Sequence, residues 1–118
     1  MARIIVVDDT RAIADMLAVV LSDQGYTVQC AYEGQAMLAL IQAQPPDLLI
    51  LDLMLPLLSG WQVLDVVRAD PAHQALPVIV LSVLAVQRAA LPAGTVYLPK
   101  PVSLTHLEIT IQQLLGLS

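Results

Sequence analysis

Three short runs, RIIVV at 3–7, LLIL at 48–51 and PVIVL at 77–81, are almost wholly apolar. None alternates apolar with polar residues, as a strand with one wet face would. Strands of this kind need cover on both faces, and a parallel sheet flanked by helices provides it. YTVQCA (26–31) alternates more, which places it nearer an edge, and TVYL (95–98) reads as a fifth strand.

The segments between these runs have helical period. Ile13, Met16, Leu17, Val20 and Leu21 mark one face of a first helix, which DQG at 23–25 ends. A second helix runs from Gly34 to about Gln44 and stops before the prolines at 45–46. A third follows Ser59 with Val63, Leu64 and Val67 inward, closed by DP at 70–71. The last carries Leu104, Leu107, Ile111, Leu114 and Leu115, with Ser103 as N-cap. The pattern is strand–helix repeated five times, an α/β fold with a parallel sheet covered on both faces.

Composition narrows what such a fold can do. The chain has 118 residues, 58% hydrophobic, which suits one domain with a substantial core. No apolar stretch reaches the ~18 residues of a membrane helix, so no membrane partner is expected. The start, MARIIVVDD, shows no signal-peptide h-region, and the lone Cys30 cannot form an internal disulfide, so a cytoplasmic location is expected. Cys30 is expected to pack as a small apolar residue. Net charge is −5, and the five cations, Arg3, Arg11, Arg68, Arg88 and Lys100, are scattered. Direct nucleic-acid binding needs clustered cations and is not expected. So few charges leave apolar surface exposed, which favours a protein partner and allows a homodimer.

In open parallel sheets, ligands bind at the carboxyl ends of strands. Asp8 and Asp9 end the first strand, Asp52 the third and Ser82 the fourth, while Lys100 follows the fifth. A 2-1-3-4-5 strand order would bring all five to one edge. Each alone has a plainer explanation: a helix cap for an aspartate, a turn for the serine, a solvated lysine. Together they are far more specific, and Lys100 is further marked by standing between Pro99 and Pro101. Three close carboxylates repel unless a cation joins them. Oxygen-only donors favour a hard ion, and Mg²⁺ takes a few carboxylates while keeping its waters. Asp52 would then stay ionised and act as a nucleophile toward phosphorus. Lys100 and Ser82 would neutralise and hydrogen-bond the phosphoryl oxygens.

At these residues the chain resembles the receiver domain of bacterial two-component response regulators. IIVVDD, PDLLILDLMLPLLSGWQVL, PVIVLS and YLPKP carry the resemblance, in order and spacing, over essentially the whole sequence. It implies a single receiver domain over residues 1–118, with a flavodoxin-like (βα)₅ fold. It implies phosphoryl transfer to Asp52 from the phosphohistidine of a sensor histidine kinase or histidine phosphotransfer protein. It further implies Mg²⁺ held by Asp9, Asp52 and the main-chain carbonyl of Met54, with Asp8 acting through water. Ser82 and Tyr97 occupy the family's switch positions, so phosphorylation would alter a surface read by a downstream protein target. His73 and His106 are expected in solvated positions, not as phosphodonors, and Trp61 is expected to pack near enough to Asp52 to report ligands.

Three departures stand out against the family pattern. Leu57 stands where the turn after Pro56 usually has glycine, so Leu55, Leu57 and Leu58 either tuck into the core or form a docking surface. Val83 follows Ser82 where a small residue is usual, which should restrict access to Asp52. The segment between Ser82 and Lys100 is short, so the helix there should be short or poorly formed.

Two other functions fit the fold. An assembly module without phospho-control would account for the departures but not for the complete acid–Ser–Lys set. An aspartate-nucleophile phosphohydrolase would need an acid two residues after Asp52, where Met54 stands. A signalling protein, catalysing only the turnover of its own phosphoaspartate, is the expected reading.

Overall fold

The computed structural model describes residues 2–83, 91 and 94–116. Its strands are β1 (Arg3–Val7), β2 (Thr27–Ala31), β3 (Leu48–Asp52), β4 (Val78–Ser82) and β5 (Thr95–Pro99). They form one sheet in the order β2-β1-β3-β4-β5, with every pairing parallel. The helices are α1 (Arg11–Asp23), α2 (Gly34–Ala43), α3 (Gly60–Ala69) and α4 (Leu104–Leu114). This is the α/β fold expected from the runs of apolar residues, in the flavodoxin-like form that the resemblance implies. The expected short helix between β4 and β5 falls mainly on residues outside those described.

Side chains on successive strand residues point to opposite faces, and both faces of the central strands are dry. Ile4, Val6, Leu48, Ile50, Ile79 and Leu81 form one core with Leu17 and Leu21 of α1 and Leu107 and Ile111 of α4. Ile5, Val7, Leu49, Leu51, Val78 and Val80 form the other with Met37 of α2 and Val63, Leu64 and Val67 of α3. β3 and β4 are buried at every position, which is why their sequences show no alternation. β2 is an edge strand, with alternating exposure.

The helix ends follow local rules. Gly25, at φ 99°, takes the left-handed turn that ends α1. The Ser59 hydroxyl accepts from Gln62 N–H while the Gln62 side chain accepts from Ser59 N–H, a capping box that starts α3. Ser103 caps α4 through His106 N–H. The Arg68 guanidinium donates to the carbonyls of His73, Gln74 and Leu76 and to the Thr95 hydroxyl. It thereby ties the α3–β4 connection to β5. Nothing in its sequence context marks that role.

Two helix faces differ from the periodic expectation. On α1, Ala14 is buried and Met16 is partly exposed, because the inward stripe of 14, 17 and 21 is narrower than the apolar one. On α4, Leu104 is partly exposed and Thr110 is buried instead. The Thr110 hydroxyl is satisfied by donating to the His106 carbonyl, 2.8 Å away.

Candidate functional site

Val7 pairs with Leu51 in the parallel register of β1 and β3. The next residue on each strand is an aspartate, so Asp8 and Asp52 leave the sheet side by side. Both are almost wholly buried, at 1% and 2% exposure. Each carboxylate is held from two sides. Asp8 Oδ1 accepts from Thr10 N–H and Asp52 Oδ1 from Met54 N–H, both at 2.9 Å. Lys100 Nζ donates to Asp8 Oδ2 at 2.8 Å and to Asp52 Oδ2 at 3.0 Å.

Lys100 is carried to this position by its backbone, whose N–H donates to the Ser82 carbonyl at 2.9 Å. Burial is the largest influence on its ammonium and lowers its pKa. The hydrogen bonds and charges of Asp8 and Asp52 together outweigh it, and the pKa is raised overall. The lysine is thus held charged where two carboxylates require compensation.

Asp9, exposed beside this pair, completes a group in which one carboxylate oxygen from each of Asp8, Asp9 and Asp52 lies within 4.8 Å of the others. Three carboxylates against one ammonium leave an oxygen-only, net-anionic donor set. That chemistry fits a hard divalent cation such as Mg²⁺. Met54 stands beside Asp52 through its N–H; the part expected of its carbonyl stays a proposal.

Ser82 is buried at the end of β4. Its strand position is informative. Asp52 is paired with Leu81, and Tyr97 with Val80. Ser82, two residues beyond Val80, therefore shares the Tyr97 face of the sheet, the α2–α3 side, whereas Asp52 shares the Leu81 face. Tyr97 is half-buried against the α2–α3 core. The structure thus gathers Asp8, Asp9, Asp52 and Lys100 into one cluster, with Ser82 at a neighbouring strand end, and sets Ser82 and Tyr97 together on the opposite face.

The turn after Asp52 resolves the three leucines into two roles. Leu55 is buried and Leu58 packs on the α2–α3 core, while Leu57 is 97% exposed. Leu57 also has φ 64°, in the left-handed region where a non-glycine residue is strained by about 1 kcal/mol. The turn closes through Leu58 N–H to the Pro56 carbonyl, 2.7 Å, and Gly60 N–H to the Leu53 carbonyl, 3.1 Å. Gly60 passes so close to the Asp52 carbonyl and Leu53 Cα that a side chain there has no room.

Several features had no legible signal. The N–H groups of Thr10 and Met54 are backbone, and any residue supplies them. Arg11 stacks on the Tyr32 ring at 4.1 Å, and the Tyr32 hydroxyl donates to Asp15 at 2.7 Å, a clamp between α1 and the end of β2. Trp61 is partly exposed in the first turn of α3, not packed as expected. His73 is half-buried beside Asp70, a correction to its expected solvation, and His106 is exposed. Cys30 is half-buried against the Ala14 carbonyl. Val83, 67% exposed, lines an apolar cavity of about 540 Å³ with Ile13, Met16, Leu104 and the stem of Lys100.

Comparison with known proteins places the chain in a family. Residues 4–112 match the response regulator receiver domain family, and the chain belongs to that family. It is 40% identical over 117 residues to the response regulator MprA of Mycobacterium ulcerans, covering 96% of this chain and 50% of that protein. The M. tuberculosis MprA is 39% identical over the same length. The chain thus spans about half the length of these relatives. Among solved structures, the Francisella response regulator 1452 receiver domain superposes with a TM-score of 0.87 at 29% identity, covering 98% of each chain. The Vibrio cholerae chemotaxis protein CheY4 gives 0.88 at 28% identity, covering 97% of this chain and 98% of that one. No helix among the described residues is long and apolar enough to cross a membrane.

Proposed function

We propose that this receiver domain accepts a phosphoryl group on Asp52 from the phosphohistidine of a sensor kinase or histidine phosphotransfer protein. The observation that carries the reading is the buried Asp52 carboxylate, paired at 3.0 Å with Lys100 beside two further acids at one strand edge. An oxygen of Asp52 attacks phosphorus, the phosphorus–nitrogen bond to the donor imidazole breaks, and the imidazole nitrogen keeps the bonding pair and takes up a proton. Asp9, Asp52 and the Met54 carbonyl would hold Mg²⁺, with Asp8 through water, and the bound ion would supply charge to the phosphoryl oxygens. Lys100 compensates charge from the other side. Ser82 then moves toward the phosphoryl group and Tyr97 turns inward, biasing a two-state surface read by a downstream protein. The setting proposed is the cytoplasm.

The test is a titration of beryllofluoride, a phosphoryl mimic, with Mg²⁺ against Trp61 fluorescence. A saturable, Mg²⁺-dependent change is expected, absent in Asp52→Asn. No response from the unmutated chain would replace this reading with an assembly module lacking phospho-control.

Val83 supplies a separate expectation. Its side chain borders the opening beside Lys100, so phosphorylation by the small donor acetyl phosphate should be slow. Val83→Ala is expected to speed it severalfold on a phosphate-affinity gel, and an unchanged rate would free Val83 of that role.

A further inference from the structure

We infer that Leu57 is a recognition residue for the protein phosphodonor, which covers it when its histidine sits over Asp52. The inference rests on the phospho-acceptor reading above and goes on to say what the partner touches.

Leu57 is anomalous in three respects at once. It is the most exposed of the large apolar side chains described, at 97%. It adopts φ 64°, a conformation a glycine or asparagine takes with less strain. It is also held rigidly, since Leu55 and Leu58 on either side are anchored in the core and the turn is closed at both ends. A strained side chain that buries nothing within its own chain gains from burial only in a complex.

The occupant follows from distance and charge. Leu57 is five residues from Asp52, at most about 18 Å of extended chain. The turn folds back through Gly60 N–H to the Leu53 carbonyl, so the real separation is shorter. A standard interface covers about 800 Å² per partner, a disc of about 16 Å radius. A donor protein centred on Asp52 therefore reaches Leu57, whereas a small phosphodonor does not. Exposed Glu33 borders the same shallow hollow as Leu57. The donor face is accordingly apolar opposite Leu57 and carries a cation opposite Glu33.

Leu57→Asn and Leu57→Gly relieve the strain, so they fold at least as well as the parent and raise the urea midpoint. Leu57→Met keeps the apolar contact. The experiment compares two phosphorylations. In vitro, acetyl phosphate should label all variants at rates within twofold of the parent. In the chain's native cells, the phosphorylated fraction on a phosphate-affinity gel should fall about fivefold or more for Asn and Gly, with Met retaining most of it. An unchanged cellular fraction in Leu57→Asn and Leu57→Gly overturns the recognition role while leaving phospho-acceptance intact. An equal fall in the acetyl phosphate rate also overturns it, since Leu57 would then act on the chemistry. Loss of every response to beryllofluoride in the parent overturns the phospho-acceptor reading, and the inference with it.

Discussion

Replacing Gly60 with alanine is expected to destabilise the domain by about 3 kcal/mol, the upper end of what overpacking costs. The added methyl meets the Asp52 carbonyl and the Leu53 Cα, which are backbone atoms and cannot rotate away. Relief requires either the start of α3 or the end of β3 to move. The second route displaces Asp52 itself, so beryllofluoride affinity should fall along with the urea midpoint. A Gly60→Ala domain with an unchanged midpoint would show that α3 can shift freely on the sheet.

Lys100→Met carries the other large expectation. The substitution keeps much of the apolar stem and removes the ammonium that joins Asp8 to Asp52. Removing one partner of a buried ion pair costs about 3–5 kcal/mol. Two buried carboxylates then face each other with no cation between them, and neutralising one of them in acid relieves the repulsion. Folding of the variant is therefore penalised where both are charged and favoured where one is not. Lys100→Met should therefore lose most stability at neutral pH and recover it in acid. Added Mg²⁺ should restore part of it at pH 7, because the three-carboxylate donor set remains. Urea unfolding at pH 4 and pH 7, with EDTA or with Mg²⁺, reads both effects. A pH-independent loss would mean that Lys100 acts through packing alone.

The strand runs made the fold legible because burial on both faces leaves no polar residue to disguise it. Strand order followed from one requirement, that five polar groups at strand ends meet, and the observed sheet satisfies it for Asp8, Asp9, Asp52 and Lys100. The exposure of Leu57 was not legible, since LPLL reads the same whether its leucines point in or out; backbone dihedrals decide it. Nor was the need for glycine at position 60, which depends on how closely two chain segments approach. Helix faces were read less well than strands, because a 3.6-residue period spreads apolar positions over a stripe wider than the part actually covered. Met16 and Leu104 lie on that margin.

The pleat of the central strands separates two departments of this molecule. Asp8 and Asp52, with the Lys100 ammonium that joins them, belong to the side lined by α1 and α4, while Ser82 and Tyr97 belong to the side lined by α2 and α3. Between them stands a wall of backbone, hydrogen-bonded strand to strand and dry on both faces. Under the proposed phosphoryl transfer to Asp52, the signal would have to go round the rim of that wall, by way of the few residues at the tip of β4. The length and stiffness of that rim, more than the chemistry of the aspartate, would set how firmly the two sides are geared together.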